Sequence, residues 1–290
     1  MLDGILEAIE NWMRELLTGM AAQNLTTMYT DVNEKTAQIA TEVGKTPQAW
    51  NGSIFSMIRD LSDTVMMPIA GMVITFVLCY ELIAMLTEKN GMHEIDTWMF
   101  FKYFVKMWIA VYAVSHTFDI AMAVFDVGQH IVNAASGVIS RDTAVNIDRM
   151  AEMMEQQAED MGIPELFALA LETFLVSFGM KLLSVLITVI LYVRMVEIYL
   201  YISVAPVTFS TFGNREWGQI GNNYLRGLFA LAFQGFFMMV CVGIYAALVS
   251  AIQFSDNLHS ALFGVAAYTV ILCFSLMRTG NLSKAVFNAH

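Results

Sequence analysis

The sequence predicts an all-α, polytopic integral membrane helix bundle with five transmembrane helices, alternatively six, and an N-terminal amphipathic helix. Three observations predict it. Hydrophobic residues make up 57% of the 290 positions and charged residues only 14%, against about 45–50% and about 25% in an average soluble domain. The mean hydropathy is +0.59. The charges also cluster, leaving apolar gaps of the roughly 20 residues that a helix needs to cross a bilayer.

The first element is the amphipathic helix. Leu2, Ile5, Leu6, Ile9, Trp12, Met13, Leu16, Leu17 and Met20 recur at three- and four-residue steps, with Asp3, Glu7, Glu10, Arg14 and Glu15 elsewhere on the wheel. Such a helix lies at a membrane surface, packs on a partner, or packs on the rest of the chain. The start is acidic and interrupted, unlike the basic, continuously apolar beginning of a secretory signal. Residues 21–64 are mixed and polar, and short helices and loops are expected there. Residues 1–64 thus form an extracytoplasmic helical region, and residues 65–290 the transmembrane domain.

The first span is Val65 to Leu86, with Pro68 near its start and Glu81 near its end. The second runs from about Tyr103 to Val124, with Lys102 and Lys106 at its start and Asp119 inside it. An outer, acidic, helical loop over 125–165 follows. It holds eight acids (Asp126, Asp142, Asp148, Glu152, Glu155, Glu159, Asp160 and Glu165) against two bases, Arg141 and Arg149. Within it, Asn146 to Met161 reads as a charged helix stopping before Gly162-Ile163-Pro164. Phe167 to Phe212 is apolar but broken by Glu172, Lys181, Arg194 and Glu197. Helix geometry stops at Ala205-Pro206, because proline lacks an amide proton and clashes with the preceding turn. Two further spans cover about Leu228 to Val249 and Leu262 to Leu276.

Lysines and arginines near span ends set orientation. Lys89, Lys102 and Lys106 place the loop before the second span inside, so the N-terminus and residues 125–165 face outward. Arg278 and Lys284 place the C-terminus inside, and the turn with Arg215 and Arg226 joins it. This agrees with five spans if Phe167 to Phe212 crosses once as a helix ending near Val204. Six spans require a tight inner turn at Arg194.

Several function classes are disfavoured. A net charge of −11 is a poor basis for standing nucleic-acid affinity, which rests on basic surfaces. Cys79, Cys241 and Cys273 sit in apolar segments with no metal or disulfide spacing. Gly128, Gly162 and Gly213 are isolated rather than part of a phosphate loop, and Ser203 and Ser210 lack triad partners. His116 and Asp119 lie three apart without further ligands. No catalytic residue, metal site or cofactor is expected, and the chain is not expected to be an enzyme.

Glu81, Asp119, Lys181, Arg194 and Glu197 are the candidate intramembrane polar residues, with Pro206 as the helix break. Charges at the bilayer centre are expensive and face protein or water, so these residues line a conduit or relay protons or ions. Alternatively they serve packing: Arg194 and Glu197 can pair three residues apart on one helix, and residues near a boundary can snorkel.

The stretch Tyr199 to Cys241 reads YLYISVAPVTFSTFGNREWGQIGNNYLRGLFALAFQGFFMMVC. Its long apolar helix, Ala205-Pro206-Val207 break and Trp217 to Gly227 turn resemble the TrbL-type, VirB-six-like membrane components of conjugative type IV secretion systems. The acidic N-terminal helix and short tail are similar to versions in Gram-positive mobile elements. The resemblance implies a cytoplasmic-membrane channel subunit that oligomerises and works with the system's ATPases and other membrane subunits. Its substrate would be single-stranded DNA with attached relaxase, contacted only in transit. Two other readings stay open: an ion- or proton-coupled small-molecule transporter using Glu81, Asp119 and Lys181, with Pro206 breaking a helix at the site, and a membrane scaffold without a transport role.

The orientation is checked by cysteine labelling at positions 40, 140, 220 and 288 of a cysteine-free variant. The expected outcome is labelling from outside at 40 and 140 only. Labelling at 220 and 288 as well would establish six spans.

Overall fold

A computed structural model describes residues 2–87, 97–139, 152, 154, 156–158, 161–252 and 258–289. The described residues form helices and turns without strands. In order these are α1 (Leu2–Val43), α2 (Pro47–Trp50), α3 (Gly52–Leu61), α4 (Met67–Thr87), α5 (Thr97–Ser115), α6 (Thr117–Ile139), α7 (Ile163–Ser203), α8 (Ala205–Phe209), α9 (Gly218–Ile252) and α10 (Leu258–Val286). Four helical stretches are long and apolar enough to cross a membrane: Gly52–Thr87, Ile163–Ser203, Gly218–Ile252 and His259–Val286. A fifth is α5 with α6, if that bent pair counts as one span. The chain is therefore a multi-pass, all-α membrane protein.

The predicted first span is one stretch with a defect at its start. α3 passes into α4 through a π-turn over Ser62–Met66, where the Met67 amide donates to the Ser62 carbonyl. Pro68 explains the defect. Its ring cannot follow a normal turn without striking the carbonyl four residues back, and a wider turn just before it makes room. Asn51 starts α3, its Oδ1 accepting from the amides of Ser53 and Ile54 at 3.1 and 3.0 Å.

The predicted second span differs from the structure. It is bent by 71° between α5 and α6. Thr117 is fully buried at the bend, and its hydroxyl donates to the carbonyls of Ala113 and Val114 at 2.9 and 2.7 Å. A threonine bonding back to its own helix favours a bend, and periodicity cannot register this. Helix α6 also continues to Ile139, so the first part of the expected 125–165 loop is helical. Most of the charged helix expected over Asn146 to Met161, the polar stretch at 88–96 and residues 253–257 lie outside the described residues.

The N-terminal helix is also longer than its sequence pattern indicated. It runs for 42 residues to Val43, because Ala21, Leu25, Met28, Val32 and Ile39 form a second, buried stripe among polar neighbours. Helix α7 is continuous through Arg194 for 41 residues, with no turn there, and it ends beside Val204 as expected.

Two compact units divide the chain. The first comprises residues 1–43, 134–191 and 238–278. Within it α1 runs in the same direction as α7, joined by Asn24 to Thr173 (3.4 Å) and by Lys35 to Thr188 (2.9 Å). Tyr245 and Thr269 link α9 to α10 at 2.9 Å, and His259 Nδ1 lies 2.6 Å from Glu172 Oε2.

The second unit comprises residues 44–133, 192–237 and 279–290. Its core packs Phe55, Phe118, Phe125, Met195, Ile198 and Leu228 together. Here α6 and α9 approach closely: a Cβ on Gly128 would lie 2.9 Å from the Ala232 carbonyl oxygen. Gly128→Val should therefore cost about 1–3 kcal/mol by forcing the helices apart. Gly137→Ala, which meets open space in the same helix, should instead raise stability by up to about 1 kcal/mol. Unfolding of purified protein in mild detergent measures both.

Candidate functional site

The predicted helix break lies in the second unit, between Ser203 and Gly218. Pro206 sits in the first turn of α8, where a missing amide costs no hydrogen bond. A 3₁₀ turn over Ser210–Gly213 follows, and Asn214 then extends before α9. A break in apolar surroundings leaves carbonyls without amides, and each must find another donor. Four hydroxyls bond back to carbonyls here, and the Thr208 carbonyl also accepts from the Ser210 amide. Ser203 donates to Leu200, Thr208 to Ala205, Ser210 to Val207 and Thr211 to Thr208, all at 2.6–2.8 Å. Thr211 Oγ1 in turn accepts from the Gly221 amide at 3.1 Å.

The broken segment packs on α4 and α5. Ala205 and Phe209 join Ala70, Ile74 and Leu78 of α4 and Ala110 and Val114 of α5 in one buried cluster. Gly213 permits this approach, since a Cβ there would lie 3.3 Å from Leu78 Cδ2 and 3.4 Å from Val77 Cγ1. A tyrosine pair closes the other side. The rings of Tyr201 and Tyr224 stack at 4.6 Å. Each hydroxyl donates to the other residue's carbonyl, Tyr224 at 2.8 Å and Tyr201 at 3.3 Å.

Charge gathers at the turn. Glu81 Oε1 meets Lys106 Nζ at 2.6 Å, with the carboxylate 17% and the lysine 43% exposed. Glu81 Oε2 accepts from the Arg215 amide at 3.3 Å. Asn214 Oδ1 caps the turn, accepting from the Glu216 and Trp217 amides at 2.6 and 3.0 Å. The Tyr80 hydroxyl donates to Glu216 at 3.3 Å, and Trp217 stacks on both Phe76 and Tyr80. A cavity of about 110 Å³ opens among Tyr80, Glu81, Met85, Asn214, Arg215 and Glu216. The arrangement ties the turn after the break to α4 and α5 through the Glu81 carboxylate.

The chain resembles one family along more than half its length. Residues 32–206 match the family described as TrbL/VirB6 plasmid conjugal transfer like protein. The chain belongs to this family. No curated protein and no solved structure matches the chain. The matched region of this TrbL/VirB6-family protein ends at Pro206, so it takes in the approach to the break but not the Trp217 to Gly227 turn. Membership makes the protein a component of a multi-subunit type IV secretion system.

The other candidate residues of the TrbL/VirB6-family chain do not converge with Glu81. Asp119 is largely exposed and lies 3.9 Å from Arg59, a pair worth about 0–1 kcal/mol. Lys181 is exposed on α7. Arg194 is 6% exposed, and its Nε has no hydrogen-bond partner among the described residues. Glu197 bonds not to Arg194 but to Lys284 Nζ at 2.9 Å. The direct bond runs across two helices, because Lys284 in the last turn of α10 reaches Glu197 at a half-exposed site; Arg194 feels Glu197 only through its charge. Sequence reasoning missed Tyr80, Asn214, Glu216 and the Tyr201–Tyr224 pair as partners. An asparagine three residues before Trp217-Gly218, at the head of a new apolar helix, was the available signal for the cap.

Gly227 carries no side chain because a Cβ there would strike the Tyr201 hydroxyl. Gly227→Ala should destabilise the protein by about 1–3 kcal/mol, and adding Tyr201→Phe should recover at least half of the loss. A double-mutant cycle in detergent unfolding measures the coupling. Lys106→Met should cost about 1–3 kcal/mol by leaving Glu81 without its counter-ion, and Glu81→Gln should restore most of that loss.

Proposed function

We propose that the chain is a cytoplasmic-membrane channel subunit of a conjugative type IV secretion system, contacting single-stranded DNA with its relaxase in transit. Family membership over residues 32–206 carries this reading. The fold is in keeping with it. A component of a translocation channel needs several rigid apolar helices and a place where backbone turns within the membrane region without losing hydrogen bonds. The clasped break at residues 203–218 is such a place. The net charge of −11 suits transit, since a strongly basic lining would retain the strand. The same reading makes the system's ATPases and other membrane subunits its partners, sets copies of the chain side by side, and places its N-terminus outside and its C-terminus in the cytoplasm.

A self-contained ion-coupled carrier is less well supported. It needs its coupling groups at one site, whereas Glu81, Asp119 and Glu197 each pair with a different cation and Lys181 lies on an exposed face. Glu81 is already engaged on both oxygens.

The test is a transfer assay in donor cells lacking the chain, with formaldehyde crosslinking of the substrate strand to an epitope-tagged copy. Loss of transfer that the tagged copy restores, with strand recovered in its immunoprecipitate, is the expected outcome. Restored transfer without any crosslinked strand would sink the channel role and leave a scaffold.

A further inference from the structure

Helix α1 has two halves with different surroundings. From Ala21 onward its buried stripe, Ala21, Leu25, Met28, Val32 and Ile39, packs within the first unit. Residues 4–12 are exposed on every side. This free part is not polar: Ile5, Leu6, Ile9 and Trp12 are 54, 62, 49 and 61% exposed, and Leu16 continues the row. At about 100° per residue, Ile5, Ile9, Trp12 and Leu16 fall in one stripe nearly half a turn away from the buried stripe of the second half. Arg14, on the side of the buried stripe, holds α1 in place by donating to the carbonyls of Ala158 and Met161 at 3.2 and 2.8 Å. Among the described residues, the helices that cover the second half do not also cover the first. A few free turns of helix are marginal in water by themselves, and an apolar stripe on them calls for a cover.

Charge selects that cover. Glu10 and Glu15 flank the stripe, one on each side, and Glu7 lies behind it; all three are exposed. The only base of this segment, Arg14, is spent on carbonyls. Helices that lie on membrane surfaces carry lysine and arginine on their polar face, because lipid surfaces are anionic. This one carries the opposite sign. A second copy of the same helix would set glutamates against glutamates. We propose that the first turns of α1 are the docking site for an amphipathic helix of another protein, its apolar seam flanked by lysine or arginine. The site stands whether or not the chain carries DNA.

The test uses the full chain in phosphatidylcholine nanodiscs and two fluorescent synthetic helices that share one leucine seam, one flanked by lysines and the other by glutamates. The lysine-flanked helix should bind at least about ten-fold more tightly, and this preference should shrink at high salt. Trp12→Asp, in the unpacked part of α1, should abolish binding. The triple variant E7K/E10K/E15K should reverse the preference, which a merely unfolded chain would not do. Equal binding of the two helices, or none, overturns the proposal. So does a particle mass in detergent that falls with Trp12→Asp, which would assign the stripe to a second copy. A nitroxide at Ile9→Cys relaxed more by oxygen than by an aqueous nickel complex would assign it to lipid and overturn the proposal as well.

Discussion

Backbone hydrogen bonding in an apolar medium is the constraint on which this structure depends. An N–H or C=O left bare in hydrocarbon costs several kcal/mol, so the chain stays helical wherever it can. Where it breaks or bends, side-chain hydroxyls add donors to the backbone carbonyls. The hydroxyls of Ser203, Thr208, Ser210 and Thr211 do so between α7 and α9, and Thr117 does so at the bend between α5 and α6. The π-turn before Pro68 is a third solution, in which the helix widens rather than breaks.

Charged residues obey a related rule. Glu81 bridges Lys106 and the amide of Arg215, and so fastens the turn after the break to α4 and α5. Glu197 and Lys284 join the C-terminal turn of α10 to α7. These pairs are partly exposed, which keeps their desolvation cost low while fixing which helices are neighbours. Arg194 is the exception: buried, with its Nε unsatisfied. Its place on a helix that also carries Glu197 made a local pair the natural expectation; that carboxylate bonds Lys284 and reaches Arg194 only through its charge.

Close approach depends on what is missing from side chains as much as on what is present. Gly213 lets the 3₁₀ turn settle on Leu78 and Val77, Gly128 lets α6 meet α9, and Gly227 leaves room for the Tyr201 hydroxyl. Each glycine lies beside a polar bond or a buried contact that a Cβ would displace. They look isolated in the sequence, where they form no motif, because the atoms they accommodate belong to other helices.

The all-α membrane class, the long apolar helices and the break at Ala205-Pro206 are legible without coordinates, because hydropathy and proline act on the residues beside them. The sequence also carried the family resemblance. How these helices pair emerges only in the folded chain. Glu81 meets Lys106 from another helix, Glu197 takes Lys284 in place of Arg194, and Tyr201 exchanges hydrogen bonds with Tyr224. The length of α1 and the bend at Thr117 belong to the same class, since buried neighbours far along the chain turn a polar-looking stretch into helix and a continuous apolar stretch into two. Local patterns record what a segment can bury, and packing decides against which partner it does so.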